Sequence, residues 1–208
     1  MKIFLPLLLA GMPAFTHTIT YDHSLPNLFH NVEVKVNGNV LNVSAGQIGV
    51  QIDGIFPALM YCADPLTWLR LGPTDVSPVI DTVFANGARM AWLYNTYNPI
   101  LTQGWEAAAL QIAIWEVVLD NNDDSLHSGL MQITGNTNAQ AYALAGSMLY
   151  ASAGQSSTGI NFWVPNRGPS YSQTLLSAAP APLTETPEPS YRLLLGAGLL
   201  LIGFLRRR

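Results

Sequence analysis

Trp105 to Asp120 reads W-E-A-A-A-L-Q-I-A-I-W-E-V-V-L-D, without Gly or Pro. Its Ala-rich composition and the acid at Glu106 in the first turn predict one helix, stopped by Asn121 and Asn122. From Ala107 to Leu119 only Gln111 and Glu116 are polar, so most sides of this helix must be buried. The chain therefore has to fold around it. Gln111 is the exception on the helix: Ala107, Ala108, Ile114, Trp115 and Val118 lie one or two turns away on its side. A buried amide without partners costs about 1–3 kcal/mol, so Gln111 must be hydrogen-bonded or used chemically.

Both ends of the chain carry export patterns. Residues 1–18 start with Lys2, run through Ile3-Phe4-Leu5-Pro6-Leu7-Leu8-Leu9-Ala10, and end in small residues near Ala14 to Thr16. A basic start, a short apolar run and small residues read as a secretory signal peptide. Residues 179–186 are a Pro-rich linker, extended and unable to form a core. In residues 187–208, Pro187-Glu188-Pro189 precedes an uncharged run from Leu193 to Leu205, and then Arg206-Arg207-Arg208. As a helix that run spans about 20 Å, short of the roughly 30 Å hydrocarbon core, and its arginines stay cytoplasmic. A motif, a marginal apolar helix and a basic tail together resemble the PEP-CTERM sorting signal of Gram-negative bacteria. The resemblance implies cutting near Pro187-Glu188-Pro189 by an exosortase-type membrane protease. The protein is then anchored in the membrane by this helix before cleavage, and afterwards lies at the cell surface or in the extracellular matrix. A plain tail anchor is the competing reading, but it has no need of the Pro-Glu-Pro.

Cys62, in Met60-Tyr61-Cys62-Ala63-Asp64, is the only cysteine. In an exported chain it has no intramolecular disulfide partner and calls for an explanation. A Cys thiol and a Gln carboxamide can condense with loss of ammonia to an internal thioester, which joins the two anomalies. Tyr61-Cys62 followed by Leu110-Gln111-Ile112-Ala113-Ile114-Trp115 resembles the Cys–Gln thioester domains of bacterial surface adhesins. Their motifs are an aromatic-Cys pair on an early strand and a later apolar-Gln-x-Ala-Ile-Trp helix. Many members carry Thr where this chain has Leu110. The resemblance covers about residues 31–177 and implies a β-sandwich with a helical insertion. It also implies a Cys62–Gln111 cross-link, shielded from water by Tyr61 and Trp115. The stored acyl group then passes once, without turnover or cofactor, to an amine on a surface or matrix partner.

The body, residues 19–178, reads independently as α+β. Val32-Glu33-Val34-Lys35-Val36, Asn37-Gly38 and Val40-Leu41-Asn42-Val43 predict a hairpin with a type I′ turn. A strand is expected from Gly46 to Ile55, broken at Phe56-Pro57 and resumed from Leu59 to Ala63 with Cys62. Helices are expected from Thr74 or Asp75 toward Phe84, from Arg89 to Tyr97, and from Asn136 to Ala153 behind an Asn136 or Asn138 cap. Strands return at residues 160–164 and 171–176. Strands, helices and strands in that order argue for an α+β domain.

Only 11% of the chain is charged. Between Thr16 and Pro189 just Lys35, Arg70, Arg89 and Arg167 stand against all thirteen acids. Such an acidic body lacks the basic stripe of a nucleic-acid binder. Other chemistry is thinly supported. Cys62 with His127 and an Asn such as Asn161 could form a cysteine-hydrolase set, but no nucleophile motif surrounds Cys62. Asp120-Asn121-Asn122-Asp123-Asp124 alternates oxygen ligands as a calcium loop does, yet Ser125 stands at the turn Gly and Met131 at the final Glu. His17, His23, His30 and His127 lack zinc spacing. Three readings therefore remain: a covalent adhesin, an inert protein of the exopolysaccharide matrix, and a thiol hydrolase.

Overall fold

The computed structural model describes residues 16–120, 123–135, 137–167 and 171–179. Nine strands and three helices follow in order: β1 His17–Tyr21, β2 Phe29–Val36, β3 Asn39–Gly46, β4 Ile48–Ile52, β5 Phe56–Cys62, β6 Thr74–Ile80, α1 Gly87–Tyr97, α2 Gly104–Leu119, β7 Met131–Ile133, α3 Ala139–Ser152, β8 Ile160–Pro165 and β9 Leu175–Ala178. A short 3-10 turn, Asn98–Ile100, follows α1. The α+β class holds. The expected sandwich is replaced by a closed barrel in the order β1-β4-β5-β9-β8-β6, with a separate sheet β3-β2-β7. Ile19, Val50, Ile52, Met60, Val76, Trp163 and Leu175 fill the barrel.

α2 is the centre of the second, larger core. Every residue from Ala107 to Val117 is buried. It contacts α3, α1, the sheet strands β2, β3 and β7, and the barrel strand β5. Small residues make this closeness possible: Ala107, Ala108, Ala109 and Ala113 on α2, and Ala141 and Ala145 on α3, are all buried. At its start, Glu106 accepts from the Thr102 and Gln103 N–H groups at 2.7 and 2.9 Å, satisfying donors the helix leaves open. These bonds, first that from Thr102, hold the Glu106 carboxyl below its ordinary range. Asn138 caps α3, its Oδ1 accepting from Gln140 and Ala141 N–H.

The hairpin β2–β3 has the expected register, Val36↔Asn39 through Phe29↔Gly46, with Asn37 and Gly38 at φ 49° and 81°. Val32, Val34 and Val36 are buried while Glu33 and Lys35 alternate with them. Three sequence expectations fail. The break before the Cys62 strand is at Asp53-Gly54, φ 54° and 67°, not at Phe56-Pro57; two consecutive positive φ values suit Asp-Gly. Pro57 pairs with Gln51 inside β5, where the other neighbour, β9, does not reach. Residues from Thr74 toward Phe84 form β6, not a helix. Its Thr, Val and Ile are β-branched, and Pro78 sits beyond the last β1 partner, Val76, so its missing N–H leaves no ladder gap. Residues 171–174 lie outside any strand, and β9 starts at Leu175. β1 and β7 add strands where none was expected.

β1 overlaps the expected signal segment by two residues: His17 pairs with Val76 and its ring bonds Asp53 Oδ2 at 2.8 Å, while Thr18 N–H donates to Asp53 Oδ1 at 2.9 Å. Residues 1–15, the linker from Pro180, Pro187-Glu188-Pro189 and the apolar run with its arginines lie outside the described residues. Among the described residues no helix is long and apolar enough to cross a membrane.

Glycines report how close the elements come. A Cβ on Gly104 meets the Phe29 carbonyl oxygen at 2.3 Å, whereas a Cβ on Gly146 in α3 meets nothing within 4 Å. Gly104→Ala is therefore expected to destabilise by about 1–3 kcal/mol through overpacking. Gly146→Ala is expected to stabilise by about 0.4–1 kcal/mol by restricting the unfolded chain. Urea denaturation of both variants checks the opposite signs.

Glu116, on α2, is fully buried, and neither carboxyl oxygen has a hydrogen-bond partner among the described residues. Burial first, then the charges of Asp120, Asp123 and Asp124, push it up to about 8; the Ser125 N–H, lacking bonding geometry, offsets little of this. A carboxyl raised in the folded state binds its proton more tightly there than in the unfolded chain. Its stabilisation is complete below the unfolded value near 4.5 and is lost as pH rises to about 8. Glu116→Gln, which stays neutral, is expected to flatten that decline and to exceed the parent in stability at pH 9. Denaturation midpoints at pH 5 and pH 9 decide it.

Candidate functional site

Cys62 ends β5, and the strand ends with one side unfilled. On the β9 side Ala63 N–H bonds the Thr174 carbonyl at 2.8 Å, so the Cys62 main-chain groups point the other way. On that other side β4 has run out, its last pair being Ile48↔Met60. Gln111 takes the vacant place. Cys62 N–H donates to Gln111 Oε1 at 2.8 Å, and Gln111 Nε2 donates to the Cys62 carbonyl at 2.8 Å. The carboxamide thus acts as a one-residue strand, held on Cys62 by two bonds from the buried helix. Its carbonyl carbon lies between the two bonded atoms, beside the residue that carries the thiol.

The thiol is buried with it. Asp64 N–H donates to Cys62 Sγ at 3.3 Å. Burial is the main influence and pushes the thiol up to about 12, with the Trp115 indole and the Asp64 N–H favouring the thiolate weakly. The Trp115 Nε1 has no partner of bonding geometry among the described residues. A thiol this high is protonated at neutral pH, the reverse of the lowered value a catalytic cysteine needs.

Cys62, Gln111 and Trp115 open onto one groove of about 790 Å³, between the inner side of β3 and the segment Pro65 to Leu69. Leu41 and Val43 of β3 are only partly buried, as befits a groove wall. Of the two residues expected to shield the cross-link, Trp115 lines this groove. Tyr61 is fully buried with its ring edge-on to Tyr94 at 6.0 Å and does not line it; burial pushes its hydroxyl up.

Among the described residues the alternative sites are not assembled. His127 is held by the Tyr142 hydroxyl on α3, and Asn161 pairs within the barrel with Ser177 and Ile80; neither lines the groove with Cys62. Asp120 accepts from Leu130 and Met131 N–H, Asp123 from the Ser128 hydroxyl, and Asp124 pairs with Arg89 at 2.7 Å. Among the described residues no group of three or more His, Cys, Asp or Glu is placed to hold a metal.

Sequence reasoning missed the groove and its wall at Trp68. The available signal was the apolar Leu66-Thr67-Trp68-Leu69 stretch just after the lone cysteine. Compared with protein-family models, with curated proteins and with solved structures, the chain gives no match.

Gln111→Ala strips two buried main-chain groups of their partners, each costing about 1–3 kcal/mol. It is expected to destabilise by more than about 2 kcal/mol. Cys62→Ala keeps both main-chain bonds and is expected to cost clearly less. Chemical denaturation of the two variants checks the order.

Proposed function

We propose that the body is a thioester domain of the bacterial surface type, in which Cys62 and Gln111 condense and later link the protein covalently to a partner. In the first step Cys62 Sγ bonds to Gln111 Cδ, the Cδ–Nε2 bond breaks, and Nε2 leaves with the thiol proton as ammonia. In the second a partner amine attacks Cδ, Sγ departs as thiolate and takes up a proton, and an amide to the partner remains. This is one acyl transfer per molecule, without cofactor or turnover.

The observation that carries the reading is the two-point contact of the Gln111 carboxamide with Cys62 at the floor of the groove. Cys62 N–H already donates to Oε1 at 2.8 Å. That donor polarises the carbonyl toward attack and stabilises the negative oxygen of the tetrahedral intermediate. Burial of the pair keeps water from the acyl group, while the groove admits a partner. The high thiol value argues against a cysteine hydrolase. The tail motifs support export and a PEP-CTERM type of sorting by an exosortase-type protease, ending at the surface or in the matrix.

One observation favours a second reading. The same two bonds satisfy Cys62 structurally, so an inert matrix protein could keep them without ever reacting. Intact mass of the exported protein separates the two. The thioester reading expects a mass short by one ammonia, restored in Cys62→Ala and in Gln111→Ala. Methylamine then adds at Gln111 and exposes one titratable thiol. A mass equal to the plain sum of residues, with no methylamine adduct, leaves the inert reading.

A further inference from the structure

We infer that the groove over Cys62 is a binding site for an uncharged glycan, recognised by an exposed aromatic ring and free side-chain amides. The volume, about 790 Å³, falls within the roughly 300–1,000 Å³ of ligand sites. Among the described residues no Lys, Arg, His, Asp or Glu lines it, although the body around it is strongly acidic. A nucleotide, a uronate chain or a Lys-rich peptide entering the groove therefore meets no opposite charge. An uncharged partner loses nothing by this.

Amides supply the polarity instead. Gln47 and Gln111 are committed, Gln47 accepting from Leu28 N–H and donating to Asn98, and Gln111 to Cys62. Asn27 and Gln173 also line the groove, and their side chains make no hydrogen bond among the described residues. Each presents a donor and an acceptor side by side, the pair that two neighbouring sugar hydroxyls require. Trp68, 72% exposed, and Phe29, 52% exposed, complete the surface. Such rings match the C–H face of a pyranose, and their burial gives binding energy without charge.

Among the described residues the outer edge of β3 has no strand partner. An extended peptide could add there, but it would engage main chain and leave the Trp68 ring and the amides of Asn27 and Gln173 unused. Glycan binding is non-covalent and needs neither the thiol nor the thioester, so it stands apart from the proposed acyl transfer.

Affinity electrophoresis of the exported protein in gels containing hydroxyethyl cellulose, galactomannan, dextran or polygalacturonate tests this, with a Lys-containing extended peptide titrated in solution. Retardation is expected in at least one neutral polysaccharide and not in polygalacturonate. Trp68→Ala, at an exposed position, is expected to weaken binding about tenfold or more, and Gln173→Ala to weaken it less, both with unchanged circular dichroism. The exported protein is expected to bind whether or not the mass measurement shows the thioester. Absence of retardation by all three neutral polysaccharides overturns the inference. So does binding that Trp68→Ala leaves unaltered, or tighter binding to polygalacturonate or to the peptide.

Discussion

The strand that carries Cys62 ends beside a gap, and the carboxamide of Gln111 fills it. β4 stops pairing at Met60, and β9 takes only the other side of β5. Two main-chain groups at the junction of barrel and helical layer would otherwise be buried without partners, which costs more than most single contacts contribute. A side-chain amide on a deeply buried helix offers a donor and an acceptor together at that depth. The position of α2 against β5 is tied to this pairing. Around it the helix is packed by α1, α3 and the sheet β3-β2-β7.

The same burial sets the chemistry. Removing Cys62 from water raises its thiol to about 12, so the sulfur is quiet as a base and as a hydrolytic nucleophile. What distinguishes the pair is contact with an amide carbonyl already polarised by a main-chain donor. In the proposed thioester the acyl carbon belongs to Gln111, which lines the groove together with Cys62 and Trp115. The two proposals draw on different residues: Trp68, Asn27 and Gln173 for recognition, and Cys62 and Gln111, which also line the groove, for reaction. Glu116 on the same helix is buried near Asp120, Asp123 and Asp124 and does not line the groove.

Much of the architecture was legible because local chemistry and tertiary demand agree. The Asn37-Gly38 turn, the alternating Val32-Val34-Val36 face, the Asn138 cap and the Gly- and Pro-free, mostly apolar run within α2 all appear where residue types require them. Elements failed to read where a neighbour decided. β6 holds a proline because β1 pairing ends before it, and β5 holds Pro57 because the pairing with β9 stops at Tyr61. The three-residue β7 exists only through pairing with Val34 to Val36. Closure into a barrel depends on β1 joining β4 to β6, and a five-residue strand beginning at His17 gives no periodic signal of its own.

For the site, the sequence alone determined that Gln111 is buried, that Cys62 is unpaired, and that a buried amide must find partners; these follow from residue type and helix period. It could not determine that those partners are the main chain of Cys62 itself, since the two residues are brought together by where β4 stops and how α2 packs on β5. Nor could it determine the groove. A cavity is the space left between elements distant in sequence, here β3 and the segment after Cys62, and no local pattern encodes the gap between them. Which amides stay free and which ring stays in solvent was likewise decided by the packing of the rest.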